Sequence, residues 1–254
     1  MIRSLYTAVS GLITLENKQN TINNNMANAN TTGYKAEDLQ IKSFKEVMIQ
    51  NRDKIQRGQN AYQRIGTISL GAKIDTVTTK FTQGDLKQTG TYSDMAIDGR
   101  GFFVVQRGNQ QLYTRDGSFR VDIQGYLVTT TGDRVLGQDN NGNLAPIQVG
   151  NSQFSVDLEG NINVNGNIIG KIATADFEDY TTLNKVGDNY YEGQNPIMNA
   201  QVLVKQGYTE NSNVNIIDEM VNLVNNKRSF ETTQKIVNMI DSTLDKAANK
   251  VGQV

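Results

Sequence analysis

Two stretches of the chain repeat apolar residues at alternating steps of three and four, and a long middle region repeats them at steps of two. Near the start, Leu5, Ala8, Leu12, Leu15, Gln19, Ile22 and Met26 form a heptad stripe with one polar break, the spacing of an amphipathic helix. At 1.5 Å per residue the segment 5–26 would be roughly 33 Å long, and its other face reads as Asn, Gln, Lys and Thr. The stop is Asn28-Ala-Asn-Thr-Thr-Gly33, where Asn and Gly accept left-handed backbone angles and Thr bonds locally to the main chain.

The far end mirrors this pattern. Ile216, Met220, Leu223, Lys227, Phe230, Gln234, Val237, Asp241, Leu244, Ala248 and Val251 step by fours and threes, and a second stripe of Ile217, Val221, Val224, Ile236 and Ile240 widens the apolar face. Asn215 with Asp218 three residues on predicts a capped start. Both prolines, Pro146 and Pro196, fall outside these helices, where they would interrupt the hydrogen-bond ladder.

Between about 75 and 205 the period is two, in short runs such as Gly101–Val105, Gln111–Thr114, Tyr126–Thr129 and Ile197–Val204. Turn signals separate them: Asp98-Gly, Asp116-Gly, Asn141-Gly, Glu159-Gly and Asn165-Gly, the pattern of an antiparallel β domain. The predicted class is therefore α+β, a mainly-β domain inserted between two long terminal helices. Its parts are residues 1–35, a connecting segment 36–74, the β-rich region 75–205 and the C-terminal helix 206–254. In the connector, Phe44, Val47, Met48 and Ile49 suggest a brief helix, and the polar run from Gln50 to Arg64 suggests an exposed loop.

Composition narrows the chemistry. The 254 residues contain no cysteine and no histidine. That removes disulfides, thiol nucleophiles and the commonest general base and transition-metal ligand. A formal net charge of -1 gives no reason to expect nucleic acid or an anionic membrane. No segment approaches the length of apolar chain needed to span a bilayer. Ser10, Gly11, Thr14 and Glu16 interrupt the apolar start, so no cleavable signal is expected.

Each candidate reactive motif has a plainer reading. Gly99-Arg-Gly-Phe-Phe-Val104 lacks the third glycine of a dinucleotide signature and leads into a strand. Asp139-Asn-Asn-Gly-Asn143 lacks the closing bidentate Glu of a calcium loop, and Asp94 with Asp98, or Asp176 with Glu178 and Asp179, read as solvated acids. Arg115-Asp116 reads as a buried ion pair or a turn device, and Lys227-Arg228 as solvated helix charge. No catalytic residue, metal, cofactor, nucleic acid or small-molecule substrate is expected.

The stripes differ, because a narrow apolar seam must be covered and an isolated helix of this kind is marginal in water. Three further segments decide between cover from within and cover from other copies. They are Asn24–Lys35; then Gln83–Gly90, Asp94–Phe103, Tyr113–Phe119 and Gly125–Thr129; and then Gly207–Val221 with Lys227–Glu231. In order and spacing they resemble the flagellar axial family of rod and hook proteins. The resemblance implies a rod subunit of the basal body that forms a helical tube of like copies with other rod and hook proteins, passed through the flagellar type III export apparatus. It implies ends that are largely disordered in the monomer and pair as a coiled coil on assembly, and an outward-facing β domain. The assembly residues expected are Leu5, Ala8, Leu12, Leu15, Ile22, Met26, Asn28, Gly33, Tyr34, Ile216, Met220, Leu223, Phe230, Val237, Leu244, Ala248 and Val251. The competing reading is a secreted β-rich binding or adhesive module with helical oligomerisation arms, which would need an aromatic cluster in a surface groove.

Overall fold

The computed structural model describes residues 2–56, 59–139, 142–150, 152–198 and 202–251. Helix α1 spans Ile2–Ala27 and helix α2 spans Ile216–Val251, with the described strands between them, so the α+β class holds. The chain divides into two compact units, one made of residues 1–26, 37–78 and 216–254, the other of residues 27–36 and 79–215.

In the first unit, α2 begins at Ile216 directly after Asn215, the position of an N-cap. Asp218 and Glu219 lie in its first turn, where carboxylates favour the positive end of the helix dipole. Both terminal segments are helical in the single chain rather than disordered, and each gains partial cover from the other. The Asn226 side chain, itself buried, donates from Nδ2 to the Leu15 carbonyl at 2.9 Å, and Asn25 reaches Glu219 at 3.4 Å. A later residue of α1 thus meets an earlier residue of α2, and the helices run antiparallel.

The connector differs from its expected form. Strands β1 (Glu37–Ser43), β2 (Val47–Gln56), β3 (Gln59–Ile68) and β4 (Ala72–Thr79) occupy it, with β1 paired to β4 and β2 antiparallel to β3. The brief helix suggested by Phe44, Val47, Met48 and Ile49 is therefore absent, as is most of the loop from Gln50 to Arg64; Arg57 and Gly58 fall outside the described residues. Val47, Met48, Ile49, Ile65 and Ile68 are all exposed. Where its side chains are described, at residues 47–50 and 64–68, the ribbon is exposed on both faces, and such a strand has no reason to alternate apolar with polar. The ribbon base is tied to α1: Thr7 Oγ1 donates to the Leu70 carbonyl at 2.9 Å, and the Ala72 amide donates to Ser10 Oγ at 3.2 Å.

The second unit is a β body. Its central hairpin pairs Phe102–Arg107 with Gln110–Thr114, placing Val105 opposite Leu112 and Val104 opposite Tyr113. Successive side chains of a strand face opposite ways, and both faces here are buried. Phe103 and Val105 join a cluster with Met95, Ile97, Leu112, Phe119 and Leu127, while Phe102 and Val104 join Tyr113, Leu136, Phe177 and Tyr191 on the other side. Double burial explains why the strand reads as a continuous Phe-Phe-Val-Val run. The expected run from Ile197 to Val204 is two strands, Ile197–Met198 and Leu203–Gln206; residues 199–201 lie outside the described ones. Asn165 and Gly166 both take positive φ, 53° and 86°, between paired Val164 and Asn167, as a tight hairpin turn demands.

Candidate assembly surface and charged clasp

In the single chain the residues of the α1 seam, Leu5, Ala8, Leu12, Leu15 and Met26, are half-buried, and Ile22 is buried. The structure adds a strip not read from the sequence: Tyr6, Val9 and Ile13 are exposed on α1, Tyr6 by 69%. The expected all-polar opposite face is therefore corrected over the first half of the helix. Their spacing of three and four was the available signal.

Along α2 the shielded positions are Glu219, Leu223, Asn226, Phe230, Thr233, Val237, Ile240, Leu244 and Ala247. Leu223, Phe230, Val237 and Leu244 are shared with the expected stripe. At the alternate positions, Asn226, Thr233, Ile240 and Ala247 replace Lys227, Gln234, Asp241 and Ala248, a shift of one residue that turns Lys227, Asp241 and Ala248 to solvent. Ile216, Ile217, Met220, Val221, Val224, Ile236 and Met239 are exposed, Ile217 by 72%. The Val251 side chain lies outside the described residues. Because Leu15 meets Asn226 and the helices run antiparallel, α1 begins opposite residues near 239 at equal rise per residue. The seam of Ile240, Leu244 and Ala247 extends past it.

Asn226 is a buried polar residue in a seam whose other polar members, Glu219 and Thr233, are half-buried. Such a residue fixes register at some cost in stability. The Asn226→Leu variant should keep its helix content by circular dichroism yet give more than one species on sedimentation. A single species with the parent's profile would show that Asn226 sets no register.

In the β body, the motifs that carry the family resemblance converge on one ion cluster. Lys35 Nζ donates to Glu210 Oε1 at 2.5 Å and to the Thr82 carbonyl at 2.8 Å; Arg115 Nη1 donates to Glu210 Oε2 at 3.2 Å and Nη2 to the Gly99 carbonyl at 2.6 Å. The Gly84 amide adds a third donor to the carboxylate at 2.9 Å. Side-chain exposure is 0% for Lys35 and Glu210 and 3% for Arg115. Burial pushes the Lys35 ammonium below the ordinary lysine range; Glu210 opposes that shift and Arg115 adds to it.

The backbone around the cluster is fitted as closely. Gly33 has φ +66°, its amide donates to the Glu210 carbonyl at 2.8 Å, and a Cβ there would lie 2.4 Å from the Asp116 nitrogen. Thr32 Oγ1 donates to Asp116 Oδ1 at 2.7 Å, and the Ala36 amide donates to Asn213 Oδ1 at 2.8 Å. Asn28, half-buried, closes the end of α1 by accepting from the Thr31 amide at 3.1 Å. Gly33 and Tyr34, expected on an assembly surface, are buried within this unit, where Gly33 seats the clasp and the Tyr34 ring lies under the Lys185 ammonium at 4.4 Å. The buried ion pair that Arg115 makes is with Glu210 and not with Asp116, which is instead a turn device that accepts from the Ser118 amide at 3.0 Å.

Of the acids weighed as a reactive pair, Asp94 accepts from Thr89 Oγ1 at 2.7 Å. Asp98 pairs with Lys205 at 2.7 Å, and Asp176 accepts from the Tyr180 hydroxyl at 2.5 Å. The rings of Phe81, Phe177 and Tyr180 pack edge to face, and that of Tyr191 at a tilt, around the buried Phe102, as core contacts and not as a surface groove. Among the described residues no group of three or more acids is placed to hold a metal ion.

Two long helical ends with exposed apolar strips and a clasped β body fit the class of axial structural subunits. The comparisons specify it further. Three family models match: "Flagella basal body rod protein" over residues 5–35, "Flagellar hook protein FlgE/F/G D1 domain" over 96–168 and "Flagellar basal body rod FlgEFG protein C-terminal" over 205–250. The chain is 33% identical to the flagellar basal-body rod protein FlgG of Buchnera aphidicola subsp. Schizaphis graminum, covering 97% of this chain and 98% of that one. It is 32% identical to the rod protein FlgF of Caulobacter vibrioides and 29% identical to the hook-basal body complex protein FlhO of Bacillus subtilis, each over the full length of both chains. The chain belongs to the flagellar basal-body rod family, and is a structural subunit of the basal body.

Proposed function

We propose that this subunit polymerises through α1 and α2 into the tubular rod that carries torque to the hook, and that it catalyses nothing. The observation that carries this reading is the exposed apolar row of α2, Ile217, Met220, Val221, Val224, Ile236 and Met239. Together with the exposed Tyr6, Val9 and Ile13 of α1, it leaves apolar surface that the single chain does not cover. Burying such surface is worth about 25 cal/mol per Å², so contact between copies is favourable. The terminal helices then pair as a coiled coil between neighbours.

In this reading, residues 1–35 and 206–254 form the rod wall, 36–74 connect, and 75–205 face outward. The neighbours are copies of this chain and other rod and hook proteins. The chain reaches its place through the flagellar export apparatus without signal cleavage, a route that suits a polypeptide without cysteines. Removal of residues 240–254 should abolish motility while the β body melts at the parent's temperature. Normal swimming by cells whose sole copy lacks those residues would defeat the proposal.

A further inference from the structure

The clasp holds two buried cations and one carboxylate, and this imbalance gives its three members unequal parts. Lys35 sits on the arm of residues 27–36 that leads from α1. Arg115 belongs to the β body, following the strand Gln110–Thr114. Glu210 ends the strand Tyr208–Glu210, which pairs antiparallel with Leu86–Gln88 just ahead of α2. Sequence separates Lys35 from Glu210 by 175 residues.

We propose that Glu210 licenses the docking of the N-terminal arm, so that residues 27–36 are fixed on the β body only once the segment 208–213 is in place. Without the Glu210 carboxylate, docking the arm would bury the Lys35 ammonium beside the Arg115 guanidinium with only the Thr82 carbonyl to receive it. Breaking a buried pair by removing one partner is costly because the other charge stays uncompensated. The same carboxylate also takes the Gly84 amide, and the Glu210 carbonyl takes the Gly33 amide. One residue therefore neutralises the arm's charge and bonds its backbone, while Asn213 takes the Ala36 amide. Lys35 is the dispensable partner: without it, Glu210 and Arg115 remain a balanced pair, and Thr82 O still accepts from Asn213 Nδ2 at 3.1 Å. A chain that lacks its C-terminal segment keeps its first helix on an unanchored arm, and the two ends of the polypeptide are set together or not at all.

An ordinary ion pair would be lost equally by changing either side, and this device would not. Amide hydrogen exchange on the full-length chain separates the two. In Glu210→Gln the Gly33 and Ala36 amides should exchange on the order of a hundredfold faster or more, while amides of the hairpin Phe102–Arg107/Gln110–Thr114 keep their protection. In Lys35→Met the arm amides should stay within about tenfold of the parent, and adding Lys35→Met to Glu210→Gln should recover most of the lost protection. Equal exposure of the arm in both single variants would overturn the proposal, as would parallel loss in arm and hairpin, or an unchanged arm in Glu210→Gln. Because none of these readouts involves polymerisation, the result is independent of the assembly reading. Should Glu210→Gln not fold, Lys35→Met alone still decides, since a strongly deprotected arm in that variant contradicts the proposal.

Discussion

Replacing Gly117 with alanine is expected to lower the melting temperature of the β body by about 10 °C, the equivalent of roughly 3 kcal/mol or more for a chain of this size. The Gly117 carbonyl accepts from the Met95 amide at 2.9 Å, and a Cβ at this position would lie 1.5 Å from the Met95 oxygen and 3.2 Å from the Phe103 ring. Its φ is not positive, so the cost is steric and not torsional. The obstacle is main chain, which cannot rotate away as a side chain would. The strand Met95–Asp98, buried along three of its four residues, would have to part from the 117 segment. Gly108→Ala is the control: that glycine has φ +61° at a hairpin turn with nothing within 4 Å of the added carbon, so it should cost only the left-handed backbone term of about 1 kcal/mol. Thermal unfolding followed by near-ultraviolet circular dichroism checks both, and equal losses would show that the Met95 contact yields.

Phe230→Asp should abolish incorporation into the rod without unfolding the β body. Phe230 is a seam position between Asn226 and Thr233, near the middle of α2. In the single chain it is half-buried, so an aspartate there stays hydrated and costs mainly the apolar contact that the phenyl ring gives up, about 1 kcal/mol. In an assembled seam the same carboxylate would lose its water without a counter-charge, at an effective cost of several kcal/mol per ion. The two costs differ by enough to leave the monomer intact and the polymer unformed. Sedimentation and the melting temperature of the β body, measured on the same sample, check the two halves of this expectation.

The long helices were legible because amphipathic spacing persists over many turns, and the central hairpin because Phe102–Val105 is apolar on both faces. The α2 seam was legible only at every second position. A heptad of 3.5 residues drifts against a helix of 3.6, so Lys227 and Asn226, or Asp241 and Ile240, compete for one edge of the stripe. Packing against Leu15 settles Asn226; nothing local does. The ribbon of β2 and β3 was illegible for a different reason. Exposed on both faces at Val47, Met48, Ile49 and Ile65, it carries no burial period, and its polar middle looks like a loop. The clasp was half legible: Lys35 and Glu210 stand in motifs visible in the sequence, but only the fold brings charges so far apart along the chain into one buried site.

The claim on which the account rests is that the terminal helices, through their half-covered seams and exposed apolar strips, join subunits into the rod. Electron microscopy of basal bodies from cells whose sole copy carries Phe230→Asp tests it most directly. The account predicts rods that stop short and bear no hook. Complete rods with hooks, containing the variant chain in normal amount, would contradict it.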